Sequence, residues 1–126
     1  MLRIALDMKA SDPVLMDVGD LVGYTEIFVL VSARNPRQVR AIAEQIRTTL
    51  KREHRLMPVG IEGLETGKWV LVDYDDVVLH IFVEGTRSFY DLESLWSDAP
   101  RLPVPAQPQR APFVDEDDDE ELLSAP

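Results

Sequence analysis

The eight residues Glu26 to Ala33, Glu-Ile-Phe-Val-Leu-Val-Ser-Ala, constrain this chain more than any others. They are a continuous run of β-formers, which predicts a strand buried on both faces, as in a sheet covered by helices. A helix follows directly. Asn35 is a good N-cap and Pro36 fits the first helical position. Val39, Ile42, Ala43, Ile46 and Leu50 then recur at i, i+3, i+4, i+7 and i+11, one apolar stripe of an amphipathic helix over about 36–54. A second pair of strands lies downstream, Lys68 to Tyr74 and Val77 to Val83. Only Asp75-Asp76 separates them, so they read as an antiparallel hairpin.

The remaining segments fit around this frame. The first ten residues predict one or two helical turns, ended before Pro13, and Val14 to Val18 is a short strand candidate. Gly19, Asp20 and Gly23 supply turn chemistry. Val59 to Glu62 is a short strand and Gly63 to Gly67 a loop. A last helix is expected over about 87–97, with Phe89, Leu92, Leu95 and Trp96 along one side. The order (short α)–β–β–α–β–β–β–α implies an α/β (α+β) fold, a mixed β-sheet flanked by helices. From Arg101 on, prolines punctuate the chain and seven consecutive acids, Asp115 to Glu121, follow. That segment has too little apolar content to repay ordering entropy, so it is expected to be disordered. The expected division is a domain over 1–103 and a Pro-rich acidic tail over 104–126.

The formal charge is −10, and residues 101–126 carry half of it. A negative net field disfavours broad non-specific binding to nucleic acid and leaves a basic protein partner open. The absence of cysteine excludes disulfides, Cys zinc sites, iron–sulfur clusters and thiol catalysis. No targeting signal is visible, and the apolar run Ile27 to Val31 is far below the roughly 20 residues that span a bilayer. The chain reads as soluble and cytoplasmic, with no membrane partner.

Motifs for chemistry are weak. Gly63-Leu-Glu-Thr-Gly67-Lys68 has three residues between its glycines where a phosphate loop needs four, and Trp69 stands where magnesium would require Ser or Thr. Asp73, Asp75 and Asp76 form a carboxylate cluster at a strand end, which suits either a metal-dependent nucleotidyltransferase using Asp73 and Asp75 or a solvated turn and protein-docking edge. The first alternative lacks its Gly-Ser turn, because Val31 to Arg34 contains no glycine. Arg37, Arg40, Arg47, Lys51 and Arg55 lie opposite the apolar stripe of the long helix, as a solvated face or a local contact to RNA phosphate or an acidic neighbour. His54 reads as solvated. His80, mid-strand, has no second ligand at metal spacing and reads as a satisfied strand histidine. No serine sits in a hydrolase elbow. No catalytic residue, metal or cofactor is expected. Six of the nine aromatics fall between residues 69 and 96, beside Asp73, Asp75, Asp76, Asp91 and Glu93. Trp and Tyr next to carboxylates compose a docking face for a basic partner.

The strings Gly60-Ile-Glu-Gly63, Lys68-Trp-Val-Leu-Val-Asp-Tyr-Asp-Asp-Val-Val-Leu-His-Ile-Phe82 and Arg87-Ser-Phe-Tyr-Asp-Leu-Glu-Ser-Leu-Trp96, with Asn35-Pro-Arg-Gln-Val-Arg-Ala-Ile42 upstream, resemble the ribosomal silencing factor (RsfS, Iojap) family. The resemblance covers about Asp17 to Pro100. It implies a nucleotidyltransferase-like topology without that activity, in a non-enzymatic translation repressor. Such a factor binds the large ribosomal subunit through ribosomal protein uL14 and sterically blocks association with the small subunit. The resemblance also implies a homodimer when free, and a peripheral rRNA contact is compatible with the basic helix face. The expected partner-binding residues are Trp69, Asp73, Tyr74, Asp76, Tyr90 and Glu93. The chain departs from the family at Glu26, where members usually have Asp, at Val31 to Arg34, and in its shorter N-terminal helix.

Overall fold

Six strands form one sheet in the order β3-β4-β5-β2-β1-β6. The structure, a computed structural model, describes residues 1–22 and 25–104. The strands are β1 (Ser11–Asp17), β2 (Ile27–Ala33), β3 (Gly60–Glu62), β4 (Trp69–Asp73), β5 (Val77–Val83) and β6 (Arg101–Leu102). The helices are α1 (Leu2–Asp7), α2 (Gly19–Val22), α3 (Pro36–His54), α4 (Glu84–Tyr90) and α5 (Leu92–Leu95). The sheet is mixed: β2 and β5 are parallel, joined by a crossover that contains α3, and the other neighbours are antiparallel.

The apolar run of β2 occupies the position its composition demands. It lies inside the sheet between β1 and β5, and every residue after Ile27 is buried. Val29, Val31 and Ala33 point to one face with Val70, Val72, Leu79 and Ile81, beneath the stripe of α3 and Ala5 of α1. Phe28 and Leu30 point to the other, with Met16, Val78 and Phe82, under Leu92 and Ala99. Successive side chains alternate across the sheet, so one uninterrupted strand serves two cores.

The long helix begins and ends as predicted. Asn35 Oδ1 accepts from the Gln38 N–H at 2.8 Å, and Gln38 Oε1 accepts from the Arg34 N–H at 2.8 Å. At the other end Arg55 is left-handed at φ 56°, and the Leu56 N–H donates to the Leu50 carbonyl. Its basic face is partly committed to the protein itself. Arg40 donates to the Leu64 and Glu65 carbonyls at 2.7 Å each and so fastens the β3–β4 loop. Arg47 pairs with Glu44. Arg37 and Lys51 stay exposed.

Four expectations need correction. The first strand starts at Ser11 rather than Val14 and takes in Pro13, because the register shifts between Ser11 and Val14 and a bulge tolerates a residue without an N–H. Gly19 to Val22 form one helical turn, α2. The last helix is two helices, broken where Asp91 takes a left-handed conformation (φ 48°, ψ 53°). Arg101 and Leu102, expected to be disordered, pair with Met16 and Leu15 as an edge strand. The tail expected over 104–126 lies, except for Val104, outside the described residues.

Candidate functional site: an aromatic groove beside the fourth helix

Strand pairing assembles the site. Trp69 stands opposite Phe82, and Leu71 opposite His80, on the sheet face that α4 and α5 partly cover. The Trp69 and Phe82 rings stack with centroids 5.0 Å apart and planes at 25°. The Trp69 Nε1–H donates to His80 Nδ1 at 3.1 Å. The imidazole is 3% exposed, with Phe28 edge-on at 4.7 Å, and among the described residues Nε2 has no hydrogen-bond partner. Burial pushes the His80 pKa down to about 4, so the ring is neutral near pH 7. An imidazole that accepts at Nδ1 carries its proton on Nε2.

The wall of the groove comes from α4. Tyr90 packs on Trp69 at 4.9 Å, and Phe89 meets Tyr90 edge-on at 5.1 Å. Both are outside the core: Tyr90 is 54% exposed and Phe89 80%. With Lys68, Thr86 and Gly85 they line an open groove of about 500 Å³. Aromatic surface held in this way, partly desolvated and next to a concavity, is what a protein-docking anchor consists of.

Arg87 holds that wall in place. Its Nε and Nη2 fork onto the two oxygens of Glu93 at 3.0 and 3.2 Å. Its Nη1 donates to the Asp12 carbonyl at 2.7 Å and to Ser32 Oγ at 2.8 Å. One guanidinium thereby ties α4 to α5, to the bulge of β1 and to β2. The left-handed Asp91 between the two helices brings Glu93 round to meet it.

Of the six residues expected to touch a partner, the structure brings only Trp69 and Tyr90 together. Glu93 is engaged with Arg87. Asp73 Oδ1 accepts from the Asp75 N–H at 2.7 Å and closes the hairpin turn. Tyr74 packs against the opposite core, with its hydroxyl buried, without a partner among the described residues, and raised in pKa by desolvation, an effect the nearby Arg47 partly offsets. Asp76 joins Asp17, Asp20, Glu26 and Asp75 around a separate acidic hollow of about 460 Å³. Four residue steps of β4, roughly 13 Å at 3.3 Å each, separate that end from Trp69. Asp73 and Asp75 do not form a metal-binding pair on one strand face, since Asp75 sits in the turn at φ 74°. Among the described residues no three His, Asp or Glu side chains are grouped to hold a metal ion.

Three residues that build the site, Phe89, His80 and Arg87, are not among the six that the sequence singles out. Helical spacing sets Phe89 on one side of a single helix with Leu92, Leu95 and Trp96, whereas the structure leaves its ring exposed. From sequence His80 reads as a satisfied strand histidine, and the register that puts it beside Trp69 is the only signal that links the two.

Comparison with known proteins identifies the family and solved structures of similar fold. The family model described as "Ribosomal silencing factor during starvation" matches residues 1–124. The ribosomal silencing factor RsfS of Chromobacterium violaceum is 38% identical over 71% of this chain and 73% of its own length. That of Bacillus subtilis is 36% identical over 75% and 79%. The crystal structure of a Chromobacterium violaceum protein superposes with a TM-score of 0.72 at 32% identity, covering 88% of both chains. The chain belongs to the RsfS family of ribosomal silencing factors.

Proposed function

We propose that this protein binds the large ribosomal subunit through ribosomal protein uL14, seats that contact on the Trp69–Tyr90 groove, and so obstructs docking of the small subunit. The observation that carries the reading is the exposure of Phe89 and Tyr90 over a Trp69 that the sheet holds rigidly. A free protein gains nothing by leaving two rings in water, whereas a partner surface that covers them gains about 25 cal/mol per Å² of apolar area. A mouse relative is named for mitochondrial assembly of the ribosomal large subunit, which points to the same particle.

The mechanism requires affinity and bulk and no bond-making. The aromatic groove supplies the anchor. The acidic hollow at Asp76 adds a field that favours a basic partner and speeds encounter more than it tightens the complex. The exposed Arg37 and Lys51 are available to peripheral rRNA phosphates. The site of action is the cytoplasm, where the free protein pairs as a homodimer. Among the described residues no helix is long and apolar enough to cross a membrane.

The test is co-sedimentation with purified large subunits on sucrose gradients, paired with light scattering during subunit joining. The native chain is expected to travel with the large subunit and suppress joining. Trp69→Ala and Tyr90→Ala are expected to lose both effects. Retention of both effects by the folded double variant would remove the groove from the mechanism.

A further inference from the structure

We propose that His80 is the positioning residue of the groove, a neutral imidazole that grips the Trp69 indole from inside the sheet and fixes which surface of that ring faces a partner. The proposal rests on the groove reading above and extends it to a residue that touches no partner.

The argument starts from cost. A buried N–H without a partner destabilises a fold, because it gives up its hydrogen bond to water and gains none in return. Among the described residues His80 Nε2 is such a group, and Phe28, Leu30 and Phe82 beside it are apolar. Leucine or phenylalanine would fill the site without that penalty. What only the imidazole supplies is an acceptor at Nδ1, and its one hydrogen bond is from Trp69 Nε1.

The ring that supplies it cannot turn away. Phe28 meets it edge-on at 70°, and the Phe82 plane lies within 10° of its own at 6.1 Å. Phe82 in turn stacks on Trp69. The indole is therefore fixed at its N–H by His80 and over its plane by Phe82. Tyr90 leans on what remains.

A chemical consequence follows for the partner. With its only donor spent inward, Trp69 presents ring surface and no hydrogen bond to the groove. The group it recognises is one that ring surfaces attract, an aliphatic or cationic side chain, rather than a hydrogen-bond acceptor.

The experiment compares His80→Leu, which removes the acceptor, with His80→Gln, which restores an amide oxygen on a side chain of similar reach. Two readouts are taken on the full chain: hydrogen exchange of the Trp69 indole N–H by NMR, assigned with Trp69→Phe, and affinity for purified large subunits. His80→Leu is expected to speed indole exchange and weaken subunit binding, each by about tenfold, the loss of one hydrogen bond's worth of order. His80→Gln is expected to recover most of both. Should Leu disrupt folding, the Gln variant alone still reports, because a residue that only fills space predicts faster indole exchange in Gln as well. Unchanged indole exchange in folded His80→Leu overturns the proposal. So does faster exchange with unchanged subunit affinity, where Trp69→Ala does lose affinity. If Trp69→Ala keeps full affinity, the groove reading fails, and the indole measurement, made without ribosomes, still decides whether His80 holds the ring.

Discussion

Arg87 makes four hydrogen bonds from a side chain that is 9% exposed. Its charge is compensated by a bidentate carboxylate, so removing either partner costs more than the pair contributes. Arg87→Met leaves Glu93 partly buried with no cation and should lower unfolding free energy by about 2–4 kcal/mol in urea titration, with α4 released from the sheet. Arg87 and Glu93 are six residues apart, a spacing at which helical side chains do not meet. Only the left-handed Asp91 makes the contact, which is why the sequence presents Glu93 as a docking acid. His80 adds a pH dependence of definite sign. Unfolded, it titrates near 6.5, and folded it is held down to about 4. Between those values the unfolded chain binds a proton that the folded chain does not. Its contribution to stability is complete above pH 6.5, declines as pH falls, and levels off below about 4 after a loss of about 3 kcal/mol. Urea titrations at pH 7.5, 6 and 5 on the native chain and His80→Gln check this. The native chain should lose stability faster over that interval, and equal slopes would contradict it.

Among the elements, α3 was the most legible. Its start, stripe and end all follow from local rules, and Asn35→Ala should cost about 1 kcal/mol, measured by denaturant midpoint at unchanged m-value. The turn between β3 and β4 is less tolerant. Gly63 has φ +90°, and a Cβ there would lie 2.1 Å from the Trp69 carbonyl oxygen. Gly63→Ala should therefore destabilise by roughly 2–4 kcal/mol and disturb the groove floor through Trp69 itself. Thermal unfolding together with indole fluorescence would show both effects. The sequence was illegible where long-range contacts override local preference. Nothing within the 87–97 segment says that Asp91 takes a conformation usual for glycine, and a two-residue edge strand such as β6 has no periodicity to detect. The hairpin, by contrast, was legible from two β-forming runs and a two-residue gap.

At the scale of the molecule, the sheet separates what the sequence had put together. Carboxylates and aromatics are neighbours along the chain from Trp69 to Asp76, yet a strand carries its two ends to opposite rims. One rim is aromatic with a single lysine, Lys68, and the other holds five acids. Linear proximity could not show this, because it depends on which end of β4 faces α4. The division gives a salt criterion. Asp76→Asn should slow association with the large subunit at low ionic strength and leave dissociation unchanged, whereas Tyr90→Ala should speed dissociation at any salt. Stopped-flow binding at two salt concentrations separates them. Truncation after Val104 removes seven of the 23 acids and should leave large-subunit co-sedimentation intact.

The pairing of Arg101 and Leu102 with β1 also has a practical use. It anchors the backbone just before Pro103 at the rim of the sheet farthest from β3, four strand spacings from β4, or roughly 19 Å. The native sequence has no thiol, so Pro103→Cys would give a single, solvent-facing attachment point. A dye placed there rides on a fixed part of the scaffold and can report capture by a ribosomal particle without competing for the aromatic surface.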